Sequence, residues 1–190
     1  MTQRILAIAA LVVAGAALAW GLFVGLPKRG AQPAGNAAAA PAPTAPPASG
    51  RKIKARLYYV AEDGIHLMHV ERDVAYGEGP LEQAREIVSA QVAPVSEPLV
   101  SAIPAGTTVR ALFLTEGGDA YVDLSREVVS GHTGGTADEL LTVYTIVNAL
   151  TENLPAVKGV QLLVDGKEVD TLAGHVDLRN PLGKNLAWVQ

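Results

Sequence analysis

Between Thr136 and Leu154, the apolar residues Leu140, Val143, Tyr144, Val147, Leu150 and Leu154 recur at three- and four-residue steps. This spacing predicts an amphipathic helix over about Ala137–Asn153 with one buried stripe. Thr136, with Glu139 three residues on, reads as a capping box at its start. Gly79 and Pro80 open a second helical pattern, carried by Leu81, Ala84, Ile87 and Val88 and stopped near Val92 by Pro94. The remaining apolar runs are short and β-rich. Leu57–Val60 and Ile65–Val70 flank a turn at Glu62-Asp63-Gly64, with Ile65, Leu67 and His69 alternating against His66, Met68 and Val70. Thr108–Thr115 and Ala120–Leu124 flank Gly117-Gly118-Asp119, and Val157–Val164 turns at Asp165-Gly166 into a short return strand, Lys167–Leu172. The order is ββαββαββ, an α+β, two-layer domain with both helices expected on one face of a single sheet.

Upstream of Arg51 the pattern changes twice. Residues 5–26 carry no charge, and at about 1.5 Å per residue they would cross the roughly 30 Å apolar core of a bilayer. The reading is a transmembrane signal-anchor behind a four-residue tail. The alternative is a cleaved signal peptide, since Ala17-Leu18-Ala19 fits a small-x-small cleavage site. Either way the C-terminal part is exported. Residues 27–50, rich in Ala, Pro and Gly, form a linker expected to lack a core and to hold residues 51–190 away from the membrane.

Charge narrows the partners. From Arg51 onward the chain carries twelve basic against nineteen acidic side chains, a net charge of −7 that gives nucleic-acid phosphates little to hold. No cysteine is present, so disulfides, thiolate chemistry and cysteine-ligated metals are excluded. His66 and His69 lie three apart on a predicted strand and therefore point to opposite faces, against a shared metal. His132 sits in Ser130-Gly131-His132-Thr133-Gly134-Gly135 ahead of a helix, where backbone amides can receive an anion, although a flexible connecting loop explains it as well. Asp123, Ser125 and His132 can be drawn as a hydrolytic triad, but no G-x-S-x-G elbow accompanies them. Asp123 and Asp165 read as turn caps, and Asn148 with Thr151 as a pair tying a loop to the helix. Neither a cofactor site nor a metal site emerges, and the chain reads as a non-enzyme.

The same residues, in order, resemble a GerMN domain, the sporulation and spore germination module, over about residues 55–183. The marks are Ala102-Ile103-Pro104-Ala105-Gly106-Thr107, Ala120-Tyr121-Val122-Asp123-Leu124-Ser125 and the helical Tyr144–Thr151 segment containing Asn148. They continue in Val160–Val164 with Asp165-Gly166, then Gly174-His175-Val176-Asp177-Leu178 and Pro181-Leu182. The resemblance implies a membrane-tethered, extracytoplasmic, non-catalytic module similar to ring-building motifs. It implies no cofactor and no catalytic residue, and it points to envelope proteins, the cell wall or self-association as partners. The rival expectations are a small-ligand or glycan sensor built on the His132 loop and a hydrolase.

Overall fold

The computed structural model describes residues 50–190, which lie within a compact unit running Pro47–Gln190. The membrane segment expected at 5–26 and the linker up to residue 49 lie outside the described residues. Among the described residues no helix is long and apolar enough to cross a membrane.

Strands β1 (Lys52–Val60) and β2 (Leu67–Ala75) pair antiparallel along their full length, from Lys52 opposite Ala75 to Val60 opposite Leu67. Ile65, expected on the second strand, falls in the connecting loop and is exposed. Asp63 shapes that loop: its carboxylate accepts the Ile65 and His66 backbone N–H groups at 3.0 Å and meets His66 Nδ1 at 2.6 Å. Helix α1 (Pro80–Val92) follows, with Gly79 as N-cap and Pro80 at its first position, where a missing N–H costs nothing. Then come β3 (Val109–Leu114), β4 (Asp119–Leu124), a single turn α2 (Glu127–Ser130), the long helix α3 (Thr136–Asn153), β5 (Gly159–Val164) and the two-residue β6 (Lys167–Glu168). The larger sheet has the order β3-β4-β5-β6; β4 and β5 are parallel, joined by the crossover through α2 and α3.

The single sheet expected from the pattern is two sheets. The reason lies on the edge of β1 that faces away from β2. There the Asn153 side-chain amide accepts the Arg56 N–H at 2.9 Å and donates to the Arg56 carbonyl at 2.8 Å. Two residues on, Gln91 does the same for Tyr58, with both bonds at 2.8 Å. Val100 then takes the Val60 N–H at 2.9 Å. Amides from the C-terminal ends of α3 and α1 thus occupy the ladder positions a third strand would need, and β3 is left to start a sheet of its own. On the far edge of the hairpin, Leu67 bonds to Trp188 and Gln190.

Two expectations for α3 are also corrected. It is not an amphipathic helix with one stripe: Leu141, Val143, Ile146, Val147, Ala149 and Leu150 are all buried, whereas the predicted stripe members Leu140 and Tyr144 are only partly so. The helix packs against β1, β5 and α1, so it must be apolar on most of its circumference. Nor is there a capping box. Gly135 occupies the N-cap without a side-chain bond, Thr136 is the first helical residue, and Glu139 turns into the protein, away from the helix start.

Candidate functional site

Three polar constellations and one groove stand out. The first is built on Glu139, whose side chain is 0% exposed. Its Oε1 accepts the Leu172 N–H at 2.7 Å and the Ala173 N–H at 3.0 Å; its Oε2 accepts the His175 N–H at 2.8 Å and faces His175 Nδ1 at 3.2 Å. Burial acts to raise this carboxyl, but the backbone donors of Ala173, His175, Leu172 and Val176 outweigh it and hold the carboxyl below its ordinary value. The result is a carboxylate seated in a nest of main-chain amides, fastening the 172–176 loop to α3. Gly174, in that loop, donates its N–H to Thr171 Oγ1. Just beyond it, the Arg179 guanidinium, seconded by the Arg179 backbone N–H, pulls Asp177 down to about 2.

The second joins the end of β4 to the β5–β6 turn. Asp123 Oδ1 accepts the Gly166 N–H at 2.7 Å, and Arg110 spans both carboxylates, with Nε 3.2 Å from Asp123 and Nη1 3.0 Å from Asp165. Asp123 therefore caps a turn 43 residues away, not the turn that follows its own strand. Asp165 (φ 50°) and Gly166 (φ 76°) both adopt the left-handed backbone that a two-residue hairpin turn requires. A Gly166→Ala variant has room for its Cβ, with Asp123 Oδ2 at 4.0 Å, so its cost is conformational. We expect a stability loss of about 1–2 kcal/mol, read by urea denaturation with an unchanged slope.

The third is a relay around Thr142. Its hydroxyl reaches the Ala102 carbonyl at 2.6 Å and the Asp138 carbonyl at 2.9 Å, and lies 3.3 Å from His132 Nε2. His132 Nδ1 accepts the Gly134 N–H at 3.0 Å, which assigns the ring proton to Nε2 in the neutral form. Asp138 receives the Thr133 hydroxyl at 2.9 Å. This relay forms one wall of a groove of about 810 Å³ whose opposite wall is the 94–108 connection. Val95, Leu99, Ala102, Ile103 and Leu141 make its lining apolar, and Val100 stands 56% exposed at its rim.

The residues singled out in the sequence fall into separate places. Ile103, Pro104 and Gly106 line the groove; Asp123, Leu124, Asp165 and Gly166 meet at the β4 and β5–β6 ends, where Leu124 O accepts the Asp165 N–H. Tyr121 lies on β4 opposite Phe113, which is 59% exposed on β3. Tyr144 is half-buried on α3, Asn148 exchanges two hydrogen bonds with the Asn185 backbone, and Thr151 bonds back to Val147 O in its own helix. The Asp123, Ser125 and His132 side chains do not assemble into a triad. Asp123 holds Gly166 and Arg110, Ser125 Oγ accepts the Thr108 N–H at 3.0 Å, and His132 is bound to Gly134 and Thr142. No cluster of three metal-ligating side chains occurs among the described residues.

Sequence reasoning missed the groove and the side chains that close chain edges, Gln91, Asn153 and Glu139. One signal was available: the connection from α1 to β3 is sixteen residues without a strand or helix, a length at which a loop in a compact domain usually has work of its own.

Residues 56–170 match the family described as "Germane: Sporulation and spore germination", and the chain belongs to that family. No curated protein is matched. Among solved structures, the chain is similar to a candidate lipoprotein from Clostridium perfringens, at 23% identity and a TM-score of 0.50, covering 70% of this chain and 88% of that one. It is also similar to the tandem GerMN domains of the sporulation protein GerM from Bacillus subtilis, at 19% identity and a TM-score of 0.55 over 70% of this chain. The match spans 46% of that tandem. These likenesses give the fold: a mixed α/β domain of two sheets and three helices, of the GerMN type.

Proposed function

We propose that this chain is a non-catalytic interaction module of the bacterial envelope, anchored by its apolar segment 5–26 and displayed outside the cytoplasm on the 27–50 linker. Its partners are envelope proteins or the cell wall, and its fold class allows self-association of the ring-building kind. One observation carries the reading. The polar side chains that sequence chemistry would nominate as reactive are bound to backbone or to each other, while an apolar groove with an exposed rim stays open to solvent. Buried polar groups used this way hold loops in place, and exposed apolar concavities receive partners.

The test has two arms. A reporter enzyme that matures only after export, fused beyond Gln190, is expected to be active. In the host, a Ser125→Ala, His132→Ala double variant is expected to keep function while a charge placed on the exposed apolar surface impairs it. Loss of function in a correctly folded double variant would instead favour a site-based rival, a hydrolase or a sensor using the His132 wall. A second reading is favoured by the groove itself: about 810 Å³ lies within the range of small-molecule sites, so a small-ligand or glycan sensor using the His132 wall is the alternative. It predicts a thermal shift with soluble glycan fragments that His132→Ala removes.

A further inference from the structure

Resting on the reading of this domain as an interaction module, we infer that the groove between the 94–108 connection and the start of α3 is the docking site, and that its occupant is a polypeptide segment of another protein carrying apolar side chains next to Lys or Arg. The first half follows from shape. The volume of about 810 Å³ holds several side chains, and the floor is set by Ile103 and Leu141, both nearly fully buried. The rim is apolar and exposed: Val100 at 56% and, in the loop whose Gly64 also lines the groove, Ile65 at 55%. Large apolar side chains left in solvent around a concavity are the usual sign of a surface waiting to be covered.

The second half follows from charge. The segments framing the groove, α2 and the first turn of α3 included, contain Glu62, Asp63, Glu97, Glu127, Asp138 and the buried Glu139 against a single guanidinium, Arg126. Asp63 is engaged by the Ile65 N–H and the His66 ring, but Asp138 lines the groove itself and is exposed, with the Thr133 hydroxyl as its one side-chain partner among the described residues. The one histidine on the wall, His132, has both ring nitrogens engaged, Nδ1 by the Gly134 N–H and Nε2 by the Thr142 hydroxyl. An acidic rim around an apolar trough repels acidic segments and selects apolar segments flanked by cations. The surrounding acidic body reinforces the same preference at long range.

The experiment uses the full chain in its own membrane, with a photo-crosslinking benzophenone amino acid placed either at Val100, on the groove rim, or at Phe113, exposed on β3 and not part of the groove lining. Both positions tolerate the change without touching the core. The expected result is a Val100 crosslink to another polypeptide, mapping by mass spectrometry to apolar residues adjoining Lys or Arg. Asp138→Lys should lower its yield by about fivefold, the scale of one exposed charge pair lost and a repulsion gained. A Val100 crosslink to a second copy of this chain, to its own N-terminal residues, or to a segment without a basic residue overturns the assigned occupant. Crosslinks at Phe113 alone overturn the groove and leave the interaction reading standing. Silence at both positions overturns both.

Discussion

A Glu139→Ala variant is expected to lose about 3–5 kcal/mol of stability, which for a chain of this size lowers Tm by roughly 10 °C or more. The side chain is fully buried and satisfies three backbone N–H groups at Leu172, Ala173 and His175. Its removal strands the Leu172 N–H in a buried place and leaves those of Ala173 and His175 without their acceptor at a part-buried one. Glu139→Gln keeps one acceptor but turns an NH₂ toward N–H groups, so an intermediate loss is expected. The carboxyl is held below its ordinary value in the folded chain, so its contribution is complete above the unfolded carboxyl pKa of about 4.3 and disappears as pH falls through the folded one. Wild type and Glu139→Gln should therefore differ by a constant amount from about pH 7 to pH 5 and converge in more acid solution. Thermal unfolding across that range checks both points. A gap that stays open in acid would mean that ionisation of Glu139 contributes nothing to the fold.

Gln91→Ala is the second change expected to be severe, at about 3–4 kcal/mol. Gln91 is 0% exposed and supplies both a donor and an acceptor to Tyr58, so alanine leaves two buried main-chain groups unpaired and adds a cavity. Gln91→Leu separates the two effects because it restores most of the volume and none of the hydrogen bonds. We expect leucine to be nearly as damaging as alanine, with fast amide exchange at Tyr58 in both. If leucine recovers most of the loss, cavity filling is the larger effect and the strand-mimic role fails. Asn153→Ala should be milder, since the Arg56 backbone it serves is exposed and water can replace the amide.

What could be seen in the sequence follows from how local each cause is. Helix α1 is punctuated by Pro80 and Pro94, and α3 runs from a glycine pair to Pro155, so their limits are written within a few residues of where they fall. The turns at Gly117-Gly118 and Asp165-Gly166 are equally local. Apart from Ile65, which the local Asp63 turn draws off the strand, the misreadings involve a partner far along the chain. Thr136 and Glu139 satisfy a capping-box pattern, but Glu139 serves amides 33 to 36 residues away, and no local spacing reports that. The stripe drawn through Leu140 and Tyr144 omits Leu141, Ile146 and Ala149 because a helix lying between two sheets has no single inward face. The division into two sheets depends on Gln91 and Asn153, two amides that in the sequence look like ordinary solvent-facing residues near helix ends. The groove was invisible for the same reason: its walls come from the 94–108 connection and from α3, and each apolar residue on it looks individually like core.

The clasp between Leu67 and the Trp188–Gln190 segment bears on the order of assembly during synthesis. Gln190 also reaches Asp63 across 127 residues of chain, so the outer border of the first hairpin stays uncovered until almost the whole domain has left the ribosome. The parallel β4–β5 pair imposes a similar wait, since it needs α3 in place before it can close. On the proposed reading of an exported module this delay would be useful: a domain whose border strand is closed by its C-terminal segment stays threadable through a translocation pore while that segment is being made.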